Sequence, residues 1–161
     1  MDHVDRILEQ WHSEKPSLDV APMGVFGRIR RLSDQLSEKI EHVHKKHGLT
    51  PSSFDVLATL KRSGPPYALS PSDLIFWTMV TSGTMTNRLD KLESAGLIKR
   101  QKNPEDGRGF VVGLTTEGHE VIDSAINDHV KNQHDLISGL SEQERFQLDC
   151  LLRKWSNSLD D

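Results

Sequence analysis

The sequence predicts a mainly α-helical protein in which a two-stranded β-hairpin interrupts the series of helices. Apolar residues recur every three or four positions through most of the chain, which is the spacing of one face of an α-helix. Two short apolar segments, 97–98 and 110–114, flank a loop rich in Gly, Pro and Asp, which is typical of a hairpin. With 161 residues, the chain has the length of one domain.

Two helices are predicted ahead of Gly48. The first is short and ends before Pro16, and its apolar positions are Val4, Ile7, Leu8 and Trp11. The second is long and follows Pro22. Its apolar positions form one continuous stripe, made of Val25, Phe26, Ile29, Leu32, Leu36, Ile40 and Val43.

Three shorter helices follow, each introduced by a side chain that can accept a hydrogen bond from a free backbone N–H. These capping residues are Thr50, Ser70, and either Thr81 or Ser82. Pro51 supports the first of these helices, because proline at the first helical position has no N–H to satisfy. The Gly-Pro-Pro segment 64–66 ends that helix, and residues 67–69 form a short extended piece before the next.

The hairpin begins after Gly96 with a strand from residue 97, and after the loop at 103–109 the chain returns as a strand at 110–114. A long helix then begins at Thr115 or Thr116, and Ser141 with Glu144 forms a capping box for the last helix. Both helices carry apolar stripes, made of Val121, Ile122, Ala125, Ile126 and Val130 in one and of Leu148, Leu151, Leu152, Trp155 and Leu159 in the other.

The two helices between residues 71 and 92, with the hairpin after them, form the pattern of a winged helix-turn-helix. In this motif the second helix lies in the major groove of DNA, and a following hairpin can reach the flanking groove. On a helical wheel of the second helix, three apolar residues cluster on the buried side, namely Met85, Leu89 and Leu92. The remaining positions carry small hydroxyls, an amide and a lysine, which suit base edges and phosphates. We therefore expect DNA contacts from Ser82, Thr84, Thr86, Asn87 and Lys91.

Charge is unevenly distributed along the chain. The whole chain carries a formal net charge of −4, whereas the segment 88–108 carries +2, which leaves −6 on the rest. Attraction to phosphates depends on a local basic face rather than on the total charge. Composition alone would fit an ordinary solvated segment equally well, so the motif carries the prediction of DNA binding.

The segment 81–93, TSGTMTNRLDKLE, resembles the recognition helix of MarR-family transcriptional regulators. Asp106-Gly107-Arg108 and residues 113–118 resemble the wing of that family and the exit from the wing, and the likeness extends over essentially the full chain. The resemblance implies that Arg108 enters the minor groove and that Asp106 braces its guanidinium. It also implies a homodimer that binds a DNA operator and acts as a repressor.

Residues 10–19, ahead of the long helix, are similar to the urate-responsive, PecS-like branch of this family, which has an extra N-terminal helix. That branch has a fingerprint of one tryptophan, one aspartate and two arginines, matched here by Trp11, Asp55, Arg88 and Arg100. The resemblance implies that an effector such as urate, or a related purine or phenolic anion, binds between the first three, with Arg100 passing the movement to the wing. Independently, the wheel places Arg88 at the edge of the buried face, where it can pair with Asp55. A purely structural ion pair, with Trp11 as a hydrophobic plug, is the alternative.

We expect one intertwined domain. Residues 1–15 form the extra N-terminal helix, residues 49–115 form the winged helix-turn-helix, and the segments 16–48 and 116–161 form dimerisation helices. A single chain cannot cover both terminal apolar stripes, and leaving them exposed would create a large apolar patch. The sequence therefore predicts a dimer with twofold symmetry.

Metal and redox sensing are alternatives for the regulatory signal. Among eight histidines, only His44 and His47 have helical ligand spacing, and no thiolate is nearby, so we expect solvated or interface histidines and no metal site. Cys150 is the only cysteine and points away from the apolar stripe of the last helix, which leaves a redox role open. A winged helix can also serve as a protein-interaction module.

Other classes of protein are excluded by the motifs that the chain lacks. It contains no phosphate-binding glycine loop, nucleophile elbow or metalloprotease pattern, so neither an enzyme nor a cofactor is expected. It also contains no apolar run of membrane-spanning length and no secretory signal. We therefore expect a cytoplasmic protein with no membrane partner.

Overall fold

The computed structural model describes residues 1–103 and 109–159. Its elements, in chain order, are α1 (His3–Glu14), α2 (Ala21–Lys46), α3 (Pro51–Arg62), β1 (Ala68–Leu69), α4 (Pro71–Thr78), α5 (Ser82–Ser94), β2 (Ile98–Lys102), β3 (Phe110–Leu114), α6 (Thr116–Leu136) and α7 (Glu142–Asn157). They divide into two compact units, Met1–Ile40 and Glu41–Asp161, with the boundary inside α2. The mainly helical fold is confirmed, and no helix in the described ranges is both long and apolar enough to cross a bilayer.

In the first unit, α1 is tied to α2 by ion pairs. The carboxylate of Asp2 caps α1 by accepting a hydrogen bond from the backbone N–H of Asp5. The carboxylate of Asp5 in turn accepts a hydrogen bond from the backbone N–H of Asp2. Arg28 of α2 donates to Asp2 at 2.9 Å and also pairs with Asp5. The helix α2 begins at Ala21, slightly earlier than predicted, where Asp19 accepts a hydrogen bond from the backbone N–H.

The core of the second unit lies between α3, α4, α5, α6 and the sheet. Its fully buried side chains include Leu57, Leu60, Leu74, Met85, Leu89, Ile98, Val112 and Ile122. Burial of such side chains contributes roughly 1.5–3 kcal/mol each to folding. This core fixes α5 relative to α3 and the hairpin, and so positions the polar face of α5.

The sheet of the described residues has three strands rather than two. The strands β2 and β3 pair antiparallel as predicted, with Ile98 opposite Leu114. On the other side of β3, β1 adds a short third strand, with Ala68 opposite Gly113, so the strand order is β1-β3-β2. The predicted two-stranded wing was therefore incomplete, because the pairing of β1 depends on a strand far along the chain. Tyr67, predicted to be extended, is left-handed, with a φ of 58°.

The last two helices, α6 and α7, differ in how closely they pack against the rest of the chain. Gly118, in the first turn of α6, lies so close to the backbone of Leu97 that an added Cβ would come within 2.0 Å of the Leu97 carbonyl oxygen. By contrast, none of the described residues of α7 is buried, although that helix carries the predicted apolar stripe. The large apolar side chains that α7 exposes are Phe146, Leu148, Leu151 and Leu152, and in the first unit α2 exposes Val25, Phe26, Ile29 and Leu32.

Candidate functional site

The helix α5 presents a polar surface beside a buried apolar face. As the wheel predicted, Met85, Leu89 and Leu92 are buried in the core. The side chains for which we predict DNA contacts lie on the remaining faces and are all exposed, namely Ser82, Thr84, Thr86, Asn87 and Lys91. Their hydroxyl, amide and ammonium groups are therefore accessible to a partner along the outer surface of the helix.

A tight turn holds the beginning of α5 in place. The helix α4 ends at Thr78, and Met79 then adopts a left-handed conformation with a φ of 53°. Of the two predicted capping residues, Thr81 takes the role, since its side-chain oxygen accepts a hydrogen bond from the backbone N–H of Thr84. The helix-turn-helix geometry therefore follows from a left-handed residue and a cap that lie between two amphipathic helices.

Arg100 ties the hairpin to α5. Its guanidinium donates to Asp90 at 2.6 Å and also pairs with Glu93, and its backbone N–H donates to Glu93 at 3.0 Å. The hydrogen bond to Asp90 and the pairing with Glu93 raise the pKa of Arg100 above its ordinary value. Among the described residues, Arg100 forms ion pairs with these two carboxylates of α5. Asp106 and Arg108, the predicted wing residues, lie outside the described residues.

Asp55 of α3 and Arg88 of α5 face one another, as the wheel suggested. The Nη1 atom of Arg88 lies 3.9 Å from Oδ2 of Asp55, which makes a long ion pair. Burial raises the pKa of Asp55, and the charges of Arg88 and Arg62 act against that rise. A pair of this length between partly exposed side chains stabilises the fold weakly, so a competing ligand could separate it at low cost.

Trp11, the third predicted ligand residue, belongs to α1 in the first compact unit and is partly exposed. The structure thus brings Asp55 and Arg88 together, and the position of Trp11 opposite them stays a prediction.

A cavity of about 530 Å³ lies between the beginning of α3 and α5. The segment before and within the first turn of α3 lines it with Leu49, Thr50, Ser52 and Ser53. The helix α5 contributes the side chains of Thr84, Asn87, Arg88, Lys91 and Leu92, and Ala95 and Leu97 complete the apolar part. No local pattern in the sequence predicts this cavity, because it forms between elements whose spacing depends on the packing of the core.

A pair of histidines, one buried and one half-buried, joins the end of α2 to α6. The Nε2 atom of His44 lies 3.1 Å from Nδ1 of His129. The ring of His44 stacks on Phe54 of α3, and the ring of His129 lies tilted against Phe54. Beside them, His47 pairs with Asp128 at 2.9 Å. His44 is only 3% exposed, so the expectation of solvated or interface histidines was wrong for this residue. The burial of His44 could have been predicted from its position, because it follows Val43 at the end of the apolar stripe of α2.

We expect the free energy of unfolding to fall on acidification because of this pair. Burial lowers the pKa of both His44 and His129, and the charge of His129 lowers that of His44 further. In the unfolded chain both groups return to the ordinary value of 6.5, so below that pH the folded chain binds fewer protons. The contribution of the pair is therefore fully present above pH 6.5 and is lost as the pH falls through the lowered folded-state values.

Urea denaturation at a series of pH values between about 8 and about 5 measures this fall in the free energy of unfolding. His129→Asn keeps an acceptor near the position of Nδ1 but cannot take up a proton, and should show a shallower loss of stability. His134→Gln, which removes an exposed histidine from the same helix, should follow the wild type. Equal pH slopes for wild type and His129→Asn would contradict the assignment.

Comparison with known proteins identifies the family. Residues 47–109 match the model described as MarR family. The chain is 41% identical to the HTH-type transcriptional regulator PecS of Dickeya dadantii over 149 residues, which cover 92% of this chain and 90% of that protein. The chain belongs to the MarR family.

Solved structures of MarR-family members share the fold. A mutant MarR from Escherichia coli complexed with operator DNA matches with a TM-score of 0.72 and 26% identity, covering 84% of this chain and 94% of that one. A structure of BpsR from Bordetella bronchiseptica matches with a TM-score of 0.70 and 25% identity, covering 82% of this chain and 98% of that one. Its DNA binding is described as regulated by 6-hydroxynicotinic acid. The predicted winged helix-turn-helix is therefore confirmed.

Membership of the MarR family also confirms the predicted class of protein. Members of this family are transcription regulators and not enzymes, and the high identity to PecS confirms the likeness to the PecS-like branch. Within residues 1–103 and 109–159, no three His, Cys, Asp or Glu side chains are gathered closely enough to hold a metal ion. Cys150 is exposed on α7.

Proposed function

We propose that this MarR-family protein is a homodimeric repressor that binds a pseudo-palindromic operator and is released by a small anionic aromatic ligand. The observation that carries the proposal is the exposed polar surface of α5 beside the long Asp55–Arg88 ion pair. The first feature suits a DNA groove, and the second gives a ligand a contact to disturb.

DNA contacts are proposed for the exposed face of α5. Asn87 can pair with a base edge in the major groove, and Lys91 with a phosphate. Ser82, Thr84 and Thr86 are small enough to let the helix approach the groove closely. By the family resemblance, Arg108, braced by Asp106, supplies the minor-groove contact from the wing. In a dimer the two copies of α5 would read half-sites about one helical turn, roughly 10 base pairs, apart or a multiple of that.

The proposed dimer is supported by the apolar side chains that α2 and α7 leave exposed. In α7, Leu151 remains 64% exposed and Phe146 69% exposed. Large apolar side chains that recur along an exposed helix face mark interaction sites. We assign the dimer interface to the segments 16–48 and 116–161, with residues 1–15 as an additional helix and 49–115 as the DNA-binding region.

The ligand class follows from the chemistry of three side chains. Trp11 can stack on a flat heterocycle, and Arg88 can donate paired hydrogen bonds to its oxygen atoms. A bound anion would repel Asp55, because two negative charges would then share one guanidinium away from bulk water. Urate fits this chemistry, and the PecS-like sequence favours it over phenolic acids. That BpsR is regulated by a small aromatic acid supports an effector of this type.

The proposed release depends on movement of α5. Separation of Asp55 from Arg88 removes the ion pair between α3 and α5, and Arg100, held by Asp90 and Glu93, would carry the shift of α5 to the hairpin. The ligand must bind the DNA-incompetent state more tightly, since equal affinity for both states shifts nothing. A tenfold loss of operator affinity requires about 1.4 kcal/mol of coupling.

We expect urate to release the wild-type protein from its operator, and Asp55→Ala to be much less responsive because it removes the charge that the ligand repels. The measurement is a titration of urate, xanthine and salicylate into the protein–operator complex, followed by fluorescence anisotropy. Asp123→Ala, which removes an ion pair with Lys61 between α3 and α6, serves as the matched control and should respond like wild type.

Two results would contradict parts of this proposal separately. If urate leaves the operator complex intact at millimolar concentration, roughly a thousandfold above a micromolar effector affinity, the ligand assignment fails while DNA binding stands. If Asp55→Ala responds like wild type, the displacement of Asp55 is not the mechanism.

A further inference from the structure

The outer face of α4 and the turn after it carry three large apolar side chains that the chain leaves uncovered. Phe76 is 70% exposed, Trp77 55% and Met79 93%, and these three residues are named the α4 patch. The rings of Phe76 and Trp77 meet edge to face, with their centroids 5.0 Å apart. On the helical wheel Phe76 lies opposite the buried Leu74, so the patch points away from the core.

The chemistry of the α4 patch favours a protein surface over DNA as its partner. Aromatic side chains and methionine are enriched at the centres of protein interfaces, whereas DNA is bound mainly through cations that contact its phosphates. The helix α4 contains no lysine or arginine, and its charged side chain is the carboxylate of Asp73. The patch lies outside the segments 16–48 and 116–161, so the proposed dimer interface does not cover it.

The charges at the two ends of α4 make this face complementary to itself. Asp73 lies exposed in the first turn. At the other end, Nη2 of the exposed Arg62 donates to the carbonyl oxygen of Trp77 at 3.4 Å. When two copies of α4 pack antiparallel about a twofold axis, the negative end of each lies beside the positive end of the other. A second copy of this chain is thus the partner that the charges favour.

The area of the α4 patch indicates a weak contact. Large side chains of this kind bury roughly 150–250 Å² each, so two copies of the patch at these exposures would remove about 900 Å² from water. Stable interfaces bury roughly 1,200–2,000 Å², and smaller ones are transient. The contact is therefore too weak to join free dimers, and the net charge of −4 on each chain opposes it further. Two dimers side by side on one DNA molecule meet at an effective concentration of about 1 mM, which favours it.

We propose that the α4 patch joins neighbouring dimers on DNA, through antiparallel pairing of α4 with α4 of the next dimer. The inference rests on the proposed function, because it requires dimers bound to operators. Met79 lies just before Thr81, the cap of α5, so the patch adjoins the helix that is proposed to enter the groove. A Kd of about 0.1 mM for the contact would raise the affinity for the second of two adjacent operators about tenfold.

Titration of the full chain into DNA that carries one or two operators, selected by affinity from random-sequence duplexes, tests the proposal. Electrophoretic mobility separates fragments with one and two dimers bound, at operator spacings varied in single base pairs over about two helical turns. We expect about tenfold cooperativity at spacings that repeat every roughly 10 base pairs, since the dimers then share one face of the duplex. Phe76→Gln and Trp77→Gln should bind one operator like wild type and lose the cooperativity. Ile7→Gln, the same kind of change at an exposed position of α1, should keep it.

Charge reversal tests the antiparallel pairing. Asp73→Arg brings two positive ends together and should abolish the cooperativity, whereas the double variant with Arg62→Asp should restore it, because the ends become complementary again. A merely structural role for either side chain predicts no such rescue. Thermal melting verifies that each variant is folded.

Independent filling of two operators by the wild type at every spacing would overturn the proposal, as would cooperativity that persists in folded Phe76→Gln and Trp77→Gln. Lack of rescue in the double variant would overturn it too. Weaker binding of a single operator by both folded patch variants would assign the patch to DNA and would also overturn it. All of these results leave the proposed function standing, whereas a wild-type chain that binds no duplex would overturn both.

Discussion

Gly118→Ala is expected to lower the free energy of unfolding strongly, at or above the upper end of the about 1–3 kcal/mol that overpacking costs. A Cβ at this position would lie 2.0 Å from the carbonyl oxygen of Leu97 and 3.0 Å from its carbonyl carbon. Backbone atoms cannot rotate away as a flexible side chain can. The same carbonyl accepts a hydrogen bond from the N–H of Thr115 at 3.1 Å, so any shift that relieves the clash disturbs the beginning of α6.

Chemical denaturation of wild type and variant measures this loss. Gly139→Ala is the matched control, since an added Cβ there has no neighbour within 4 Å. It should leave stability unchanged or slightly increase it, because alanine reduces the conformational freedom of the unfolded chain. A Gly118→Ala protein as stable as the wild type would show that α6 does not approach Leu97 as closely as described.

Leu151→Glu is expected to dissociate the proposed dimer and to weaken operator binding by about a hundredfold or more, since an unpaired buried carboxylate costs about 3–5 kcal/mol. Leu151 is among the most exposed apolar side chains of α7, and none of the described residues of that helix is fully buried within its own chain. A carboxylate at this position therefore lowers the stability of the folded monomer little and destabilises the dimer strongly. A monomer would place one recognition helix on DNA in place of two.

Light scattering at micromolar concentration and operator titration together test this prediction. Gln143→Glu adds the same charge to α7 at a position that the helical wheel places away from the apolar stripe, and it should remain dimeric. A wild-type chain that is monomeric in light scattering would remove the dimer proposal. A dimeric Leu151→Glu would move the interface away from α7.

Local chemistry explains why most helix boundaries could be predicted from the sequence. Thr50, Ser70 and Ser141 cap their helices as expected, and Thr81 and Thr115 are each one of the two candidates that the sequence left open. A cap depends on a side chain and a backbone N–H three residues away, so the sequence contains all of the information that it needs. The buried face of α5 was predictable for the same reason, because helical periodicity is a local property.

Other features were not predicted, because they depend on how separate elements pack against one another. The residues of β1 form a strand only because β3 supplies a partner. His44 is buried because Phe54 and His129 lie against it, and these two residues belong to other helices. The partners of Arg100 lie on α5, within ten residues, but which of several carboxylates it meets depends on the angle between β2 and that helix.

The sequence by itself determined the order of helices and strands, the polar face of α5 and the relation to the MarR family. Periodicity, caps and motifs each depend only on residues that are close together in the sequence. Only the tertiary structure decided the 3.9 Å separation of Asp55 and Arg88, the burial of His44 and the cavity between α3 and α5. These features arise where separate elements of the fold pack against one another. Packing of the whole core sets the spacing of these elements, and no local pattern encodes it.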